Sequence, residues 1–177
     1  MEKKAIKLVL MFCFGLWVAS CSQPDTSDYK TIDSNQIKED LIEANKSIVK
    51  TEDQHIEDFI QRRGWKMQTT GTGLRYMITE QGNGRPAAKG LVAVLEYKTR
   101  LITGDIIDSS DTDGLKEFEI GRGGVESGLE EAVLMMKVGD KGNFILPSHL
   151  AWGLTGDGNL IPSKSTLIYE LKLIDLK

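Results

Sequence analysis

From Trp65 to the C-terminus the chain alternates apolar and polar residues in short runs, and a single segment of that stretch keeps helical spacing. Leu74, Tyr76 and Ile78 alternate before the turn-forming run QGNGRP, and Leu91 to Thr103 is a long strand candidate ending at Thr103-Gly104-Asp105. Phe118 and Ile120 alternate within EFEIG, and Phe144 to Pro147 and Thr166 to Leu176 supply two further strands. Leu129, Ala132, Val133 and Met136 instead fall at i, i+3, i+4 and i+7, a helix that stops at Gly139. About five strands and one short helix exclude a helical bundle and a doubly wound sheet. What is left is an α+β fold, a curved antiparallel sheet wrapped on that helix.

One loop of this sheet is unusual in composition. SHLAWGLTGDGNLIPS, residues 148 to 163, holds Gly153, Gly156 and Gly158 between Trp152 at one end and Leu160, Ile161 and Pro162 at the other. A loop joining two strands beside the helix end lies across the mouth of the concave face. Its glycines suit an adaptable flap, and its apolar ends suit anchors.

The N-terminus follows a different pattern. Lys3, Lys4 and Lys7 precede the apolar run LVLMFCFGLWVA, too short to span a membrane permanently and flanked like a secretory signal. Val18-Ala19-Ser20-Cys21 resembles the bacterial lipobox, in which the cysteine is lipidated and becomes the first mature residue. Residues 1–20 are therefore expected to be a lipoprotein signal peptide and residues 21–33, polar and without apolar period, a tether. Without residues 1–20 the chain keeps 19 basic against 25 acidic side chains, a net charge of −6 that does not favour nucleic acid. Loss of Cys13 with the signal and acylation of Cys21 would leave no thiol for a disulfide, a metal or a nucleophile.

From Ser34, the residues Ile37, Leu41, Ile48, Ile56, Phe59 and Ile60 recur at helical spacing until Gly64. They predict one amphipathic helix, or two broken near Lys50 to Gln54, within an extension of residues 34–71. The helix could pack on its own domain, or residues 34–63 could bind a client or form a homodimer.

Several chemistries are excluded by pattern. In DSSDTDG, a calcium loop would put Ser109 first and Ile120 twelfth, where a bidentate carboxylate is required. GRGGVESG lacks the Lys-Ser/Thr pair of a phosphate loop, and no nucleophile signature surrounds His55, His149 or any serine. No metal and no cofactor is expected. Aromatic and aliphatic residues converging with one or two polar groups make a binding pocket instead.

Four ordered blocks, YKTRLITGDIIDSSD, FEIGRGGVESGLEEAVLMMKVGDK, FILPSHLAWG and IPSKSTLIYELKLIDL, resemble the FKBP-type peptidyl-prolyl cis-trans isomerases over residues 72–177. The resemblance implies an isomerase domain there and a role for individual positions. Tyr97, Asp108 and Trp152 fall on the family's pocket tyrosine, buried carboxylate and ligand-donating tyrosine. Ile107, Leu129, Ile161 and Tyr169 fall on substrate-binding wall or floor positions, and Val125 and Glu126 on the segment whose backbone N–H receives a substrate carbonyl. Ile107 and Leu129 stand where aromatics are favoured, Lys116 or Glu117 replaces a pocket phenylalanine, and Glu126 replaces an aliphatic residue. These departures imply weak macrolide binding.

The implied activity is rotation of Xaa-Pro bonds in exported polypeptides of a bacterial envelope, by a protein expected to be held on the outer membrane through Cys21. The alternative is an FKBP-like chaperone or binding module with little turnover. Similar lipidated members are associated with gliding motility, which leaves a structural lipoprotein of an envelope machine as a third reading.

Overall fold

The computed structural model describes residues 34–177, so the expected signal peptide, Cys21 and the expected tether fall outside the described residues. The apolar spacing after Ser34 resolves into one unbroken helix, α1 (Ser34–Arg63). No glycine or proline interrupts Lys50 to Gln54, so nothing in the backbone forces the break that the sequence left open. Arg62 and Arg63 sit in the last turn, where cations suit the helix dipole, and Gly64 follows at φ 65°.

Seven strands follow: β1 (Gln68–Thr69), β2 (Arg75–Glu80), β3 (Val92–Leu101), β4 (Ile106–Ser109), β5 (Lys116–Glu119), β6 (Lys141–Leu146) and β7 (Leu167–Leu176). Every pairing is antiparallel, in the order β1-β2-β6-β7-β3-β4, with β5 also on β3. The sequence expectation of about five strands missed two. One is β1, two residues long; the other is β4, whose Ile-Ile-Asp-Ser run is too short to show alternation. β4 and β5 share one edge of β3, β4 on Lys98–Arg100 and β5 on Val92–Leu95, separated by a single-turn helix, α2 (Ser110–Asp113). Register shifts within β3 at Val94/Leu95 and Thr99/Arg100 increase the local twist that curves the sheet.

The concave face closes on α3 (Ser127–Leu134), which buries Leu129, Ala132 and Val133 against Leu95, Phe144, Leu146, Leu167 and Tyr169. The helix ends at Leu134 rather than running to Gly139, and a turn carries Met136 into the core at 1% exposure. Gly128 sets how near α3 can come, because a Cβ there would lie 2.7 Å from Leu146 Cγ. On the opposite face Ile56, Phe59 and Ile60 of α1 cover Ile145 and Ile168.

Candidate active site

The register of the sheet brings the polar wall of the site together. Asp108 of β4 lies opposite Thr99 of β3, Thr99 opposite Tyr169 of β7, Tyr169 opposite Phe144 of β6, and Phe144 opposite Tyr76 of β2. Residues directly opposite across antiparallel strands point to one face, so this row delivers a carboxylate, a hydroxyl and a phenol to the concave side. There they wall a cavity of about 320 Å³, which Ile107, Trp152 and Ile161 complete on its apolar side.

Glu126, the residue before α3, joins the walls. Its Oε1 accepts the indole N–H of Trp152 at 3.0 Å and the hydroxyl of Tyr169 at 3.0 Å. Its Oε2 takes no hydrogen bond among the described residues, and neither does its backbone N–H donate one. Burial first, and then the Glu126 charge, push the Tyr169 phenol well above its ordinary 10.0, so it remains a donor. Among the described residues Thr99 Oγ1, buried close to Tyr169, makes no hydrogen bond of normal geometry.

A second group stands at the β4 side. Lys116 Nζ lies 3.6 Å from Asp108 Oδ2 and 4.6 Å from the centre of the Tyr97 ring, an ion pair combined with a cation–π contact. Burial alone would raise the Asp108 carboxyl. The neighbouring Asp113 and Tyr97 side chains, together with the Lys116 charge, outweigh that and hold it below its ordinary 3.8. Tyr97 moves the other way: burial, then the facing Asp108, push its hydroxyl far above 10.0.

Hydrogen bonds within the glycine-rich loop shape the turn around Asp157. Asp157 Oδ1 accepts the N–H of Asn159 at 2.8 Å and of Ile161 at 2.7 Å, and Asp157 N–H donates to Ile161 O at 3.1 Å. Those two backbone donors hold the Asp157 carboxyl below its ordinary value. Gly156, at φ 72°, is needed because a Cβ would sit 2.1 Å from Ile161 O. Gly156 answers to close backbone approach.

Of the residues singled out in the sequence, Ile107, Asp108, Glu126, Trp152, Ile161 and Tyr169 share the cavity wall. Val125 lines the adjoining hollow with Glu126 and Trp152. Tyr97 stands behind Lys116, 6% exposed, and Leu129 lies under the site at 0% exposure, so neither forms the cavity wall. His55 and His149 are exposed, and among the described residues no group of His, Cys, Asp or Glu is placed to hold a metal. Sequence reasoning missed Thr99, Asp113, Asp157 and Leu160, and left Lys116 unresolved from Glu117. Thr99 could have been found, since it falls two residues after Tyr97 on one strand and so on the same face. Lys116 reaches the cavity, whereas Glu117 is exposed and pairs with Lys177.

The comparisons with known proteins agree with this geometry. Residues 83–174 match the family described as FKBP-type peptidyl-prolyl cis-trans isomerase. A probable FKBP-type peptidyl-prolyl cis-trans isomerase FkpA of Neisseria meningitidis is 33% identical over 138 residues, 76% of this chain and 50% of that protein. FK506-binding protein 1A of Neurospora crassa is 36% identical over 107 residues, 59% of this chain and 89% of that protein. The crystal structure of FkpA from Escherichia coli superposes with a TM-score of 0.64 at 26% identity, covering 100% of this chain and 83% of that one. The chain spans about half the length of the curated relatives it matches first, 50% and 58%. With its sheet, its helix and its cavity between them, the chain belongs to the FKBP-type peptidyl-prolyl cis-trans isomerases.

Proposed function

We propose that the protein catalyses cis–trans rotation of Xaa-Pro bonds in exported polypeptides, with the cavity between the sheet and the Trp152 loop as the proline site. The observation that carries this reading is the cavity itself, apolar on the side of Ile107, Trp152 and Ile161 and dipolar on the other. Rotation about an Xaa-Pro bond breaks amide resonance worth ~18–20 kcal/mol but makes or breaks no covalent bond. Such a reaction needs no nucleophile. A site accelerates it by binding the twisted amide better than either planar form. The twisted amide has lost charge separation, so an apolar wall favours it, while the free N–H of Glu126 is available to a flanking carbonyl. Trp152 serves as wall here, because its N–H is engaged by Glu126 instead of being free for substrate.

Exchange NMR on a panel of Xaa-Pro peptides tests the assignment. Rate enhancement that falls at least tenfold in Trp152→Ala, with thermal stability nearly unchanged for a side chain 46% exposed, supports it. Peptide binding without enhancement would replace it by the chaperone or binding-module reading, which the charged Lys116 in place of an aromatic favours.

The same proposal puts the protein on the outer membrane of a bacterial envelope through Cys21. The lipobox-like Val18-Ala19-Ser20-Cys21 supports this, and no helix of the described residues is long and apolar enough to cross a membrane. Cys21→Ala should move the protein from membranes to the soluble fraction; retention there would remove the anchor. The exposed Ile42 (44%) and Val49 (52%) support a homodimer through residues 34–63.

A further inference from the structure

Glu52 lies on α1, on the face of the sheet opposite the cavity, yet its carboxylate reaches both stems of the loop that carries Trp152. Oε1 accepts the Ser148 N–H at 2.7 Å and the Thr166 hydroxyl at 2.7 Å, and Oε2 accepts the Ser148 hydroxyl at 2.9 Å. Ser148 is 6% exposed and Thr166 5% exposed. The bonds continue into the loop: Gly153 N–H, next to Trp152, donates to Ser148 O at 2.7 Å, and Lys164 N–H donates to Gly153 O at 2.9 Å. Lys164 is two residues from Thr166, so the path returns to Glu52 as a closed ring. A carboxylate accepting three hydrogen bonds at once fixes the groups that donate them, and charge-assisted bonds are the stronger kind.

Other residues dock the helix. Ile56, Phe59 and Ile60 supply the apolar contact, and Asp53 and Glu57 hold the buried Arg75. Glu52 makes none of those contacts. We infer that Glu52 is a positioning residue for the active-site loop, which makes α1 part of the machinery that sets the Trp152 wall. The inference rests on the isomerase reading only for its kinetic arm.

The test compares Glu52→Ala, Glu52→Gln and Asp53→Ala in the full chain, reading the Trp152 indole N–H resonance and the separate KM and kcat for Xaa-Pro peptides. Glu52→Ala is expected to shift or broaden the resonance and to lower kcat/KM about tenfold, chiefly through KM, since small misplacement of a binding wall has large effects. Glu52→Gln, which keeps an acceptor for Ser148 N–H and Thr166 Oγ1, should restore both. Asp53→Ala, one residue away and directed to Arg75, should leave both as in the wild type. A wild-type resonance and KM in Glu52→Ala, or the same change in Asp53→Ala, overturns the inference, because general docking of the helix would then explain everything. If Glu52→Ala does not fold, the pair Ser148→Ala and Thr166→Val reads the same resonance from the other end of the bonds. If no peptide is turned over by the wild type, the isomerase reading fails. The Trp152 resonance then still decides for or against the clamp.

Discussion

Two neighbouring rows of the sheet, one residue apart, are put to opposite uses. The concave row runs Asp108, Thr99, Tyr169, Phe144, Tyr76; the row beside it runs Arg100, Ile168, Ile145, Arg75 and faces α1. The two directions of the pleat account for their facing. On the α1 side the Arg75 guanidinium bonds Asp53 and Glu57 of the helix and the carbonyl of Gly73, while Arg100 pairs within the sheet with Glu170 of β7 and leaves its buried Nε without a partner among the described residues. On the concave side polar groups border a cavity, and among the described residues the Thr99 hydroxyl and Glu126 Oε2 make no hydrogen bond of normal geometry. The same alternation therefore makes a joint on one face and a site on the other. What separates them is what the covering element supplies: α1 brings Asp53 and Glu57 to Arg75, whereas α3 and the Trp152 loop leave a cavity beside Asp108, Thr99 and Tyr169.

The largest expected effect tests whether joint and core are one cooperative structure. Leu129 and Ile56 are both 0% exposed, one in the concave core and one under α1. Leu129→Ala should cost about 2–5 kcal/mol of global stability, the range for a deleted core side chain. Ile56→Ala removes a similar volume from a cluster of only a few residues, so the helix can open locally and limit the loss. Denaturant unfolding together with hydrogen exchange separates the cases. Equal global losses, with no locally opened amides in α1, would mean that helix and sheet unfold as one.

An intermediate effect concerns protons, and belongs to the concave row alone. The Asp108 carboxyl is held below 3.8 in the folded state, so its contribution is complete above 3.8 and is lost as pH falls through the lower folded value. Tyr97 and Tyr169 are raised above 10.0, so their contribution is complete below 10.0 and fades only as pH rises through the higher folded values. Isomerisation should therefore stay level from about pH 5 to pH 9 as far as these groups act. Asp108→Asn should remove the acid limb. An activity change centred near neutrality would mean that another group controls the site.

The legible part of this fold was its periodicity. Leu129, Ala132, Val133 and Met136 announced α3 and its buried face, and the blocks from Tyr97 to Tyr169 pointed to the cavity through family resemblance. What stayed hidden depends on register and on side-chain reach. Alternation alone puts Thr99 on the face of Tyr97, but nothing local says which residues of β4 and β7 flank it, or that Lys116 and not Glu117 turns inward. The Glu52 bonds join residues 96 and 114 positions apart, beyond any spacing rule. Composition alone also does not distinguish a glycine chosen for freedom from one chosen, like Gly156, for lack of a Cβ, whereas a Cβ at Gly153 or Gly158 would meet nothing within 4 Å.

The smallest expected effect sharpens the contrast of paired and unpaired charge. Around the cavity stand the carboxylates of Asp108, Asp113, Glu126 and Asp157 with the single ammonium of Lys116, which is already paired with Asp108. Their field is negative where substrate arrives. Partly exposed charges are worth about 0.2–1 kcal/mol each, so a lysine beside the proline should raise kcat/KM a few-fold over a glutamate there. Screening lengths shrink to about 3 Å at 1 M salt, so the preference should collapse at high salt while Leu-Pro peptides change little. Asp157→Asn should reduce it without salt. Equal rates for the lysine and glutamate peptides at low salt would mean that bound substrate lies too far from these carboxylates to feel them, and would confine the wall's contribution to its apolar side.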